Sequence, residues 1–360
     1  MPHPAAPGVA GHLPPHRQGG PTVVAPRTLR LTSRDDIVVA VPYLLGFHPT
    51  DSLVCIALDD RRIQFVARLD LPEPSALDDF APPAAHTATL LAQYASAVIL
   101  VGYGPADRVA PATAALTTEL QSIDVTVPEV LRVADDRYWC LCGAPGCADG
   151  VAYDPSGSSV PAEAVYLGIA PLPDRAALQD LISPVTGPGR ERMRAATETA
   201  LRRLAGMLTD GRDPTAAVGG QPPSSPPEQV VTDGVTAVRQ AYESAERGDV
   251  LSDDDVAWLT VVLMVPEVRD HAWITGDGSD AQRRLWTDVT RRAMPGLSAA
   301  PACLLAVTAY LDGDGAMARI GVDRALDADP DYRLAHLLAQ ALQAGVPPHV
   351  WQAAITGTTE

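Results

Sequence analysis

The chain has 360 residues, 46% of them apolar, which is enough for two domains with a core each. Its formal charge of -17 repels a nucleic-acid backbone, so no nucleic-acid partner is expected. All 27 basic residues are arginine; without lysine there is no P-loop lysine, no Schiff base, no pyridoxal phosphate anchor and no strand lysine of a protein kinase.

In chain order, residues 1–26 are rich in Pro, Gly and His and read as a disordered tail without the apolar segment of an export signal. "SRDDIVVAVPYLLG" opens a helix with a capping signal, Ser33 followed by Asp36, and carries Pro42 inside it. "DSLVCIALDD" and "RRIQFVARLDL" are strand-like runs joined by charged turn residues, an antiparallel hairpin. "HTATLLAQYAS" has helical spacing. "AVILVGYG" is a continuous apolar run, as a buried central strand requires. "ADRVAPATAALTTEL" is a further helix and "PEVLRVADDRYWCL" a further strand or hairpin. This mixture predicts an α/β sandwich with a mixed sheet over residues 27–183.

From 184 to 355 the pattern is helical. Met193, Ala196, Leu201, Leu204 and Leu208 form an apolar stripe, and the Pro/Gly/Ser-rich stretch 211–228 reads as a flexible segment. In "GDGAMARIGVDRALDADP", Gly313, Ala318, Val322, Ala325 and Pro330 fall at the spacing of a tetratricopeptide repeat. An ordinary helical hairpin accounts for that spacing equally well. The apolar runs are too short to span a bilayer, and five sparse cysteines suit a reducing compartment, so a cytoplasmic protein that does not engage membranes is expected.

"VPYLLGFHPTDSLV", "YWCLCGAPGC" and the block from "LWTDVTRRAMPGLSAAPACLL" to "AHLLAQAL" together resemble the actinobacterial family called domain of unknown function 4192, over about Leu29 to Pro348. The resemblance implies a cytosolic bacterial protein and no particular activity.

Four groups of residues bear on chemistry. In "FHPTDS", Ser52 as nucleophile, His48 as base and Asp51 as orienting carboxylate would give a hydrolase. Triads are assembled from distant positions, however, and no glycine-rich elbow flanks Ser52. A turn explains the same residues: Gly46 ends the helix, Pro49 sets φ, and a short polar side chain bonds the backbone before Leu53. A ligand contact at the strand end is a third reading. Cys140, Cys142 and Cys147 could bind zinc with Asp149, Asp154 or a distant histidine, Cys142 and Cys147 could form a disulfide or redox pair, or all three could be plain turn cysteines. Asp135 and Arg137 lie in a polar-aromatic patch beside them that could line a pocket. Gly102 and Gly104 would let a backbone approach a ligand, but without the third glycine of a dinucleotide fingerprint no nucleotide cofactor is expected. Arg284 and Arg291, seven apart on one helix face, could grip a partner's anionic group or pair with the chain's own acids, such as Asp280 and Asp288. The tryptophans at 258, 273 and 286 read as core anchors. The preferred function is a binding, regulatory or adaptor module with a helical protein-interaction domain. The alternative is a hydrolase with its site at the strand ends near His48, Asp51, Gly102 and Asp135.

Overall fold

The structure is a computed structural model that describes residues 9–12, 28–77, 79–143, 149–210 and 226–356. Two compact units divide the chain, Met1–Ala177 and Leu178–Glu360.

The first unit is a mixed sheet covered by helices. Its elements are β1 (Val9–His12), β2 (Thr28–Leu31), α1 (Arg34–Leu45), β3 (Ser52–Asp59), β4 (Arg62–Asp70), α2 (Ala81–Ala92), β5 (Ala97–Tyr103), α3 (Ala106–Ser122), β6 (Val130–Ala134), β7 (Arg137–Cys140), β8 (Val151–Ala152) and α4 (Val160–Tyr166). The sheet order is β2-β1-β4-β3-β5-β6-β7-β8, with β5–β6 and β1–β4 parallel and the remaining pairs antiparallel. The expected α/β sandwich with a mixed sheet is therefore present. Both faces of β3 and β5 are buried, which is why these strands are apolar throughout. Leu53, Cys55, Val98 and Leu100 pack in a core with residues of α2 and α3. The alternate side chains Ser52, Val54, Ile56, Val101 and Tyr103 face the other way.

Local sequence accounts for the joints. Ser33 and Asp36 form the expected capping box, and Gly46 closes α1 in the left-handed conformation at φ 78°. Two-residue turns join β3 to β4 and β6 to β7; their central residues, Asp60–Arg61 and Asp135–Asp136, all have positive φ. That is the turn whose twist matches a hairpin, and aspartate is among the side chains that tolerate it.

The structure departs from the sequence reading in three places. Residues 9–12, expected to belong to a disordered tail, form β1, paired with β2 and β4; the rest of 1–26 lies outside the described residues. Composition does not register a strand pairing, which depends only on backbone N–H and C=O groups. Helix α2 starts at Ala81, ahead of the expected His86, because Pro82 and Pro83 sit in its first turn, where a missing N–H costs nothing. The two units meet at 177/178, within a short helix α5 (Arg175–Asp180), whereas the sequence places the change at 184. Of the expected flexible segment 211–228, residues 211–225 lie outside the described residues.

The second unit is helical throughout: α6 (Gly187–Asp210), α7 (Glu228–Arg247), α8 (Asp253–Val262), α9 (Pro266–Ile274), α10 (Asp280–Arg292), α11 (Ala299–Leu311), α12 (Gly315–Ala328), α13 (Arg333–Gln343) and α14 (Pro348–Thr356). Helix α11 is buried from Ala299 to Tyr310 and pairs tightly with α12. The approach is closest at Gly321, where a Cβ would lie 2.9 Å from the Ala302 carbonyl oxygen. Ala318, Val322 and Ala325 are fully buried, and Pro330 follows the end of α12. A repeat and an ordinary hairpin share this geometry. Trp286 is fully buried against Tyr242, Trp258 is buried, and Trp273 is half-buried beside Trp351. Among the described residues no helix is long and apolar enough to cross a membrane.

Candidate functional site

The loop between α1 and β3 is held mainly by its backbone. Phe47 is buried and forms a bridge with Leu172, and the His48 N–H donates to the Leu172 carbonyl at 3.0 Å while the His48 residue itself is exposed. Asp51 adopts φ 44°, its carbonyl accepts from Leu71 N–H, and its Oδ1 pairs with Arg108 Nη1 at 2.6 Å. Arg108 also donates to the carbonyls of Pro72 (3.0 Å) and Leu71 (2.9 Å). It thus ties the first turn of α3 to the loop and to the exit of β4. The sequence reading missed Arg108; the only signal was its place just after "VGYGP". Ser52 is fully buried. Its Oγ donates to the Thr50 carbonyl at 2.5 Å and accepts from Arg68 Nε at 2.8 Å. The hydroxyl that a hydrolase would use as nucleophile is a structural bridge.

The two glycines answer to packing. A Cβ on Gly102 would lie 2.3 Å from Val109 Cγ1, so its absence lets α3 press onto β5. Gly104 has φ +147°, and a Cβ there would meet Leu71 Cδ1 at 2.9 Å and Asp51 Oδ1 at 3.7 Å. Gly104 and Asp51 are therefore neighbours. Asp135 stands exposed at the tip of the next hairpin, and Arg137 donates to the carbonyls of Asp149 (3.1 Å) and Gly150 (2.7 Å). These residues share one end of the sheet, since Tyr103 pairs with both Ser52 and Val133, yet Asp51 is tied to Arg108 and Arg137 to the Asp149 and Gly150 carbonyls.

One row of side chains across the sheet ends at the N-terminus of α1, where Tyr138 bonds Asp35 and the sequence showed only the cap. Ser52, Tyr103, Val133 and Tyr138 are consecutive partners across four strands and point to one face. The Tyr103 hydroxyl is buried and has no hydrogen-bond partner among the described residues; burial raises its pKa. Burial, together with a hydrogen bond to Asp35, pushes the Tyr138 phenol up to about 12. Arg34 forks onto the buried Glu129 at 2.9 and 3.0 Å. Burial alone would raise the Asp36 carboxyl, but hydrogen bonds from Ser158, Thr32 and Ser33 outweigh it and hold it below the ordinary range.

Of the three cysteines, Cys140 and Cys142 are brought together. Cys140 is buried, and burial followed by the contact with Cys142 pushes its thiol up to about 12. Cys142 is exposed, and Cys147 lies outside the described residues. Asp154 caps a single helical turn through Ser156. Among the described residues no three His, Cys, Asp or Glu side chains converge as a metal site.

Two further features are open. One is a groove of about 800 Å³ between α3 and the β6–β7 hairpin. On its floor the Arg132 guanidinium lies 3.8 Å from the centre of the Trp139 ring. The other is the outer face of α10. Arg283 takes Asp280 and approaches Asp312 and Asp314, while Arg292 takes Asp288 and Asp253. Arg284 and Arg291 stand exposed, with no carboxylate partner among the described residues.

A family model described as a domain of unknown function (DUF4192) matches residues 35–349. No curated protein and no solved structure matches the chain.

Proposed function

The chain belongs to the family of domain of unknown function DUF4192, whose description carries no activity, and we propose from the geometry that it works by binding a protein partner through its helical unit. The observation behind this reading is the pair Arg284 and Arg291. The acids nearest in sequence, Asp280 and Asp288, are engaged by Arg283 and Arg292, which leaves two exposed arginines whose backbone positions lie two turns, about 10.5 Å, apart along one helix face. Such a pair suits an acidic segment of a partner, because each guanidinium can fork onto a carboxylate. The hydrolase alternative has less support, since both hydrogen bonds of the Ser52 hydroxyl are to structural neighbours.

The test uses the full chain, tagged, in lysate of its source. An Arg284→Glu/Arg291→Glu variant is expected to lose a partner that the parent captures, with an unchanged melting temperature. Arg239→Glu, a charge reversal at an exposed position of α7, is expected to keep it. Equal capture by parent and double variant would remove α10 from the interface. Labelling of Ser52 by a fluorophosphonate probe would replace binding by catalysis as the leading reading.

A further inference from the structure

We infer that the groove between α3 and the β6–β7 hairpin is a binding site for an amphipathic anion: an apolar chain or ring carrying a single carboxylate-like head. Its volume, about 800 Å³, falls in the range of small-molecule sites. The α3 wall is built from Ala106, Ala110 and Ala114, whose small side chains leave the space open. The threonines that line the same wall offer no hydroxyl proton to a ligand. Thr113, Thr117 and Thr118 donate to the helix carbonyls of Val109, Thr113 and Ala114.

The floor supplies the charge. Arg132 is the one charged side chain among the described residues that line the groove, and no carboxylate of a described residue lies within ion-pair distance of it. It is held over the Trp139 indole at 3.8 Å, and that indole is braced from behind, since a Cβ on Gly150 would come within 2.5 Å of it. Stacking fixes the guanidinium plane while its N–H edge remains able to fork onto a carboxylate. A cation set in an apolar groove with no carboxylate partner among the described residues, in a chain with 44 acidic side chains, calls for an anion from outside. A neutral ligand leaves that charge uncompensated, and a cationic one is repelled. The inference is independent of the α10 reading, because every lining residue belongs to the first unit.

The probe is decanoate, titrated calorimetrically into the full chain beside 1-decanol and decyltrimethylammonium. Decanoate is expected to bind saturably at one site, the alcohol more weakly, and the cation not at all. Arg132→Gln is expected to weaken decanoate at least about tenfold, the loss of a charge-assisted hydrogen bond. Ala110→Phe fills the groove from an exposed helix position, where the fold does not depend on the side chain; it is expected to abolish binding with the melting temperature unchanged. The inference is overturned if the folded parent shows no saturable decanoate binding, if decanol binds as well as decanoate, or if Ala110→Phe binds like the parent.

Discussion

Ser52 shows how a residue that reads as a nucleophile becomes a fastener. Its hydroxyl is fully buried at the first position of β3, gives its proton to the Thr50 carbonyl, and presents a lone pair to the Arg68 guanidinium. Arg68 in turn holds Asp70 at 2.6 Å, so one oxygen links the entry of β3 to the end of β4. Removing it leaves the Arg68 Nε–H without its acceptor, while Nη2 keeps Asp70. Ser52→Ala is therefore expected to lower stability by about 1–3 kcal/mol, read as a shift of the urea midpoint at constant slope. A variant as stable as the parent would show that Arg68 and the Thr50 carbonyl find water instead. His48 carries no comparable burden, since its contribution here is a backbone N–H bonded to Leu172, which any residue but proline supplies.

At the scale of elements, what matters is how closely helix and strand approach, and glycine sets that distance. Gly102 lies opposite Leu53 in the β3–β5 ladder, and a methyl group there would overlap Val109 of α3 at 2.3 Å. Gly102→Ala is expected to cost about 1–3 kcal/mol by overpacking. The double variant Gly102→Ala/Val109→Ala is expected to recover part of that loss, a coupling measurable in a double-mutant cycle. Additive losses would place the strain elsewhere. The elements themselves were legible because their signals are local: the Ser33–Asp36 cap, the Gly46 stop, the charged two-residue turns and the apolar run of β5 are each read within a few residues. What was not legible is what depends on distant partners. "VGYG" suggests a backbone opened to a ligand, yet the partner that requires the glycine is Val109. Arg108, Asp35 and Arg132 carry no signal of their own; each gains its role from a residue on another element, namely Asp51, Tyr138 and Trp139.

At the scale of the whole molecule, the chain changes from a mixed sheet to helices, and where it changes is itself testable. Composition puts the boundary at Pro184, because the long helix α6 starts just beyond it. The compact units divide earlier, at 177/178, where Leu178 opens the helical unit inside α5. Leu178 and Ile182 are both buried, at 6% and 3% exposure, so the segment between the two boundaries has apolar side chains to lose. Val185 N–H donates to the Arg291 carbonyl, which fastens the start of the following segment to α10. A fragment beginning at Arg175 keeps α5 whole and retains both apolar anchors; one beginning at Val185 discards them. Burial of two such side chains is worth about 3–6 kcal/mol as an upper estimate. The 175–360 fragment is therefore expected to melt cooperatively and several degrees above the 185–360 fragment, by calorimetry at equal concentration. Equal melting temperatures would return the boundary to 184. The outcome also decides how the α10 surface is to be studied in isolation, because only a fragment that keeps its own core presents Arg284 and Arg291 as the full chain does.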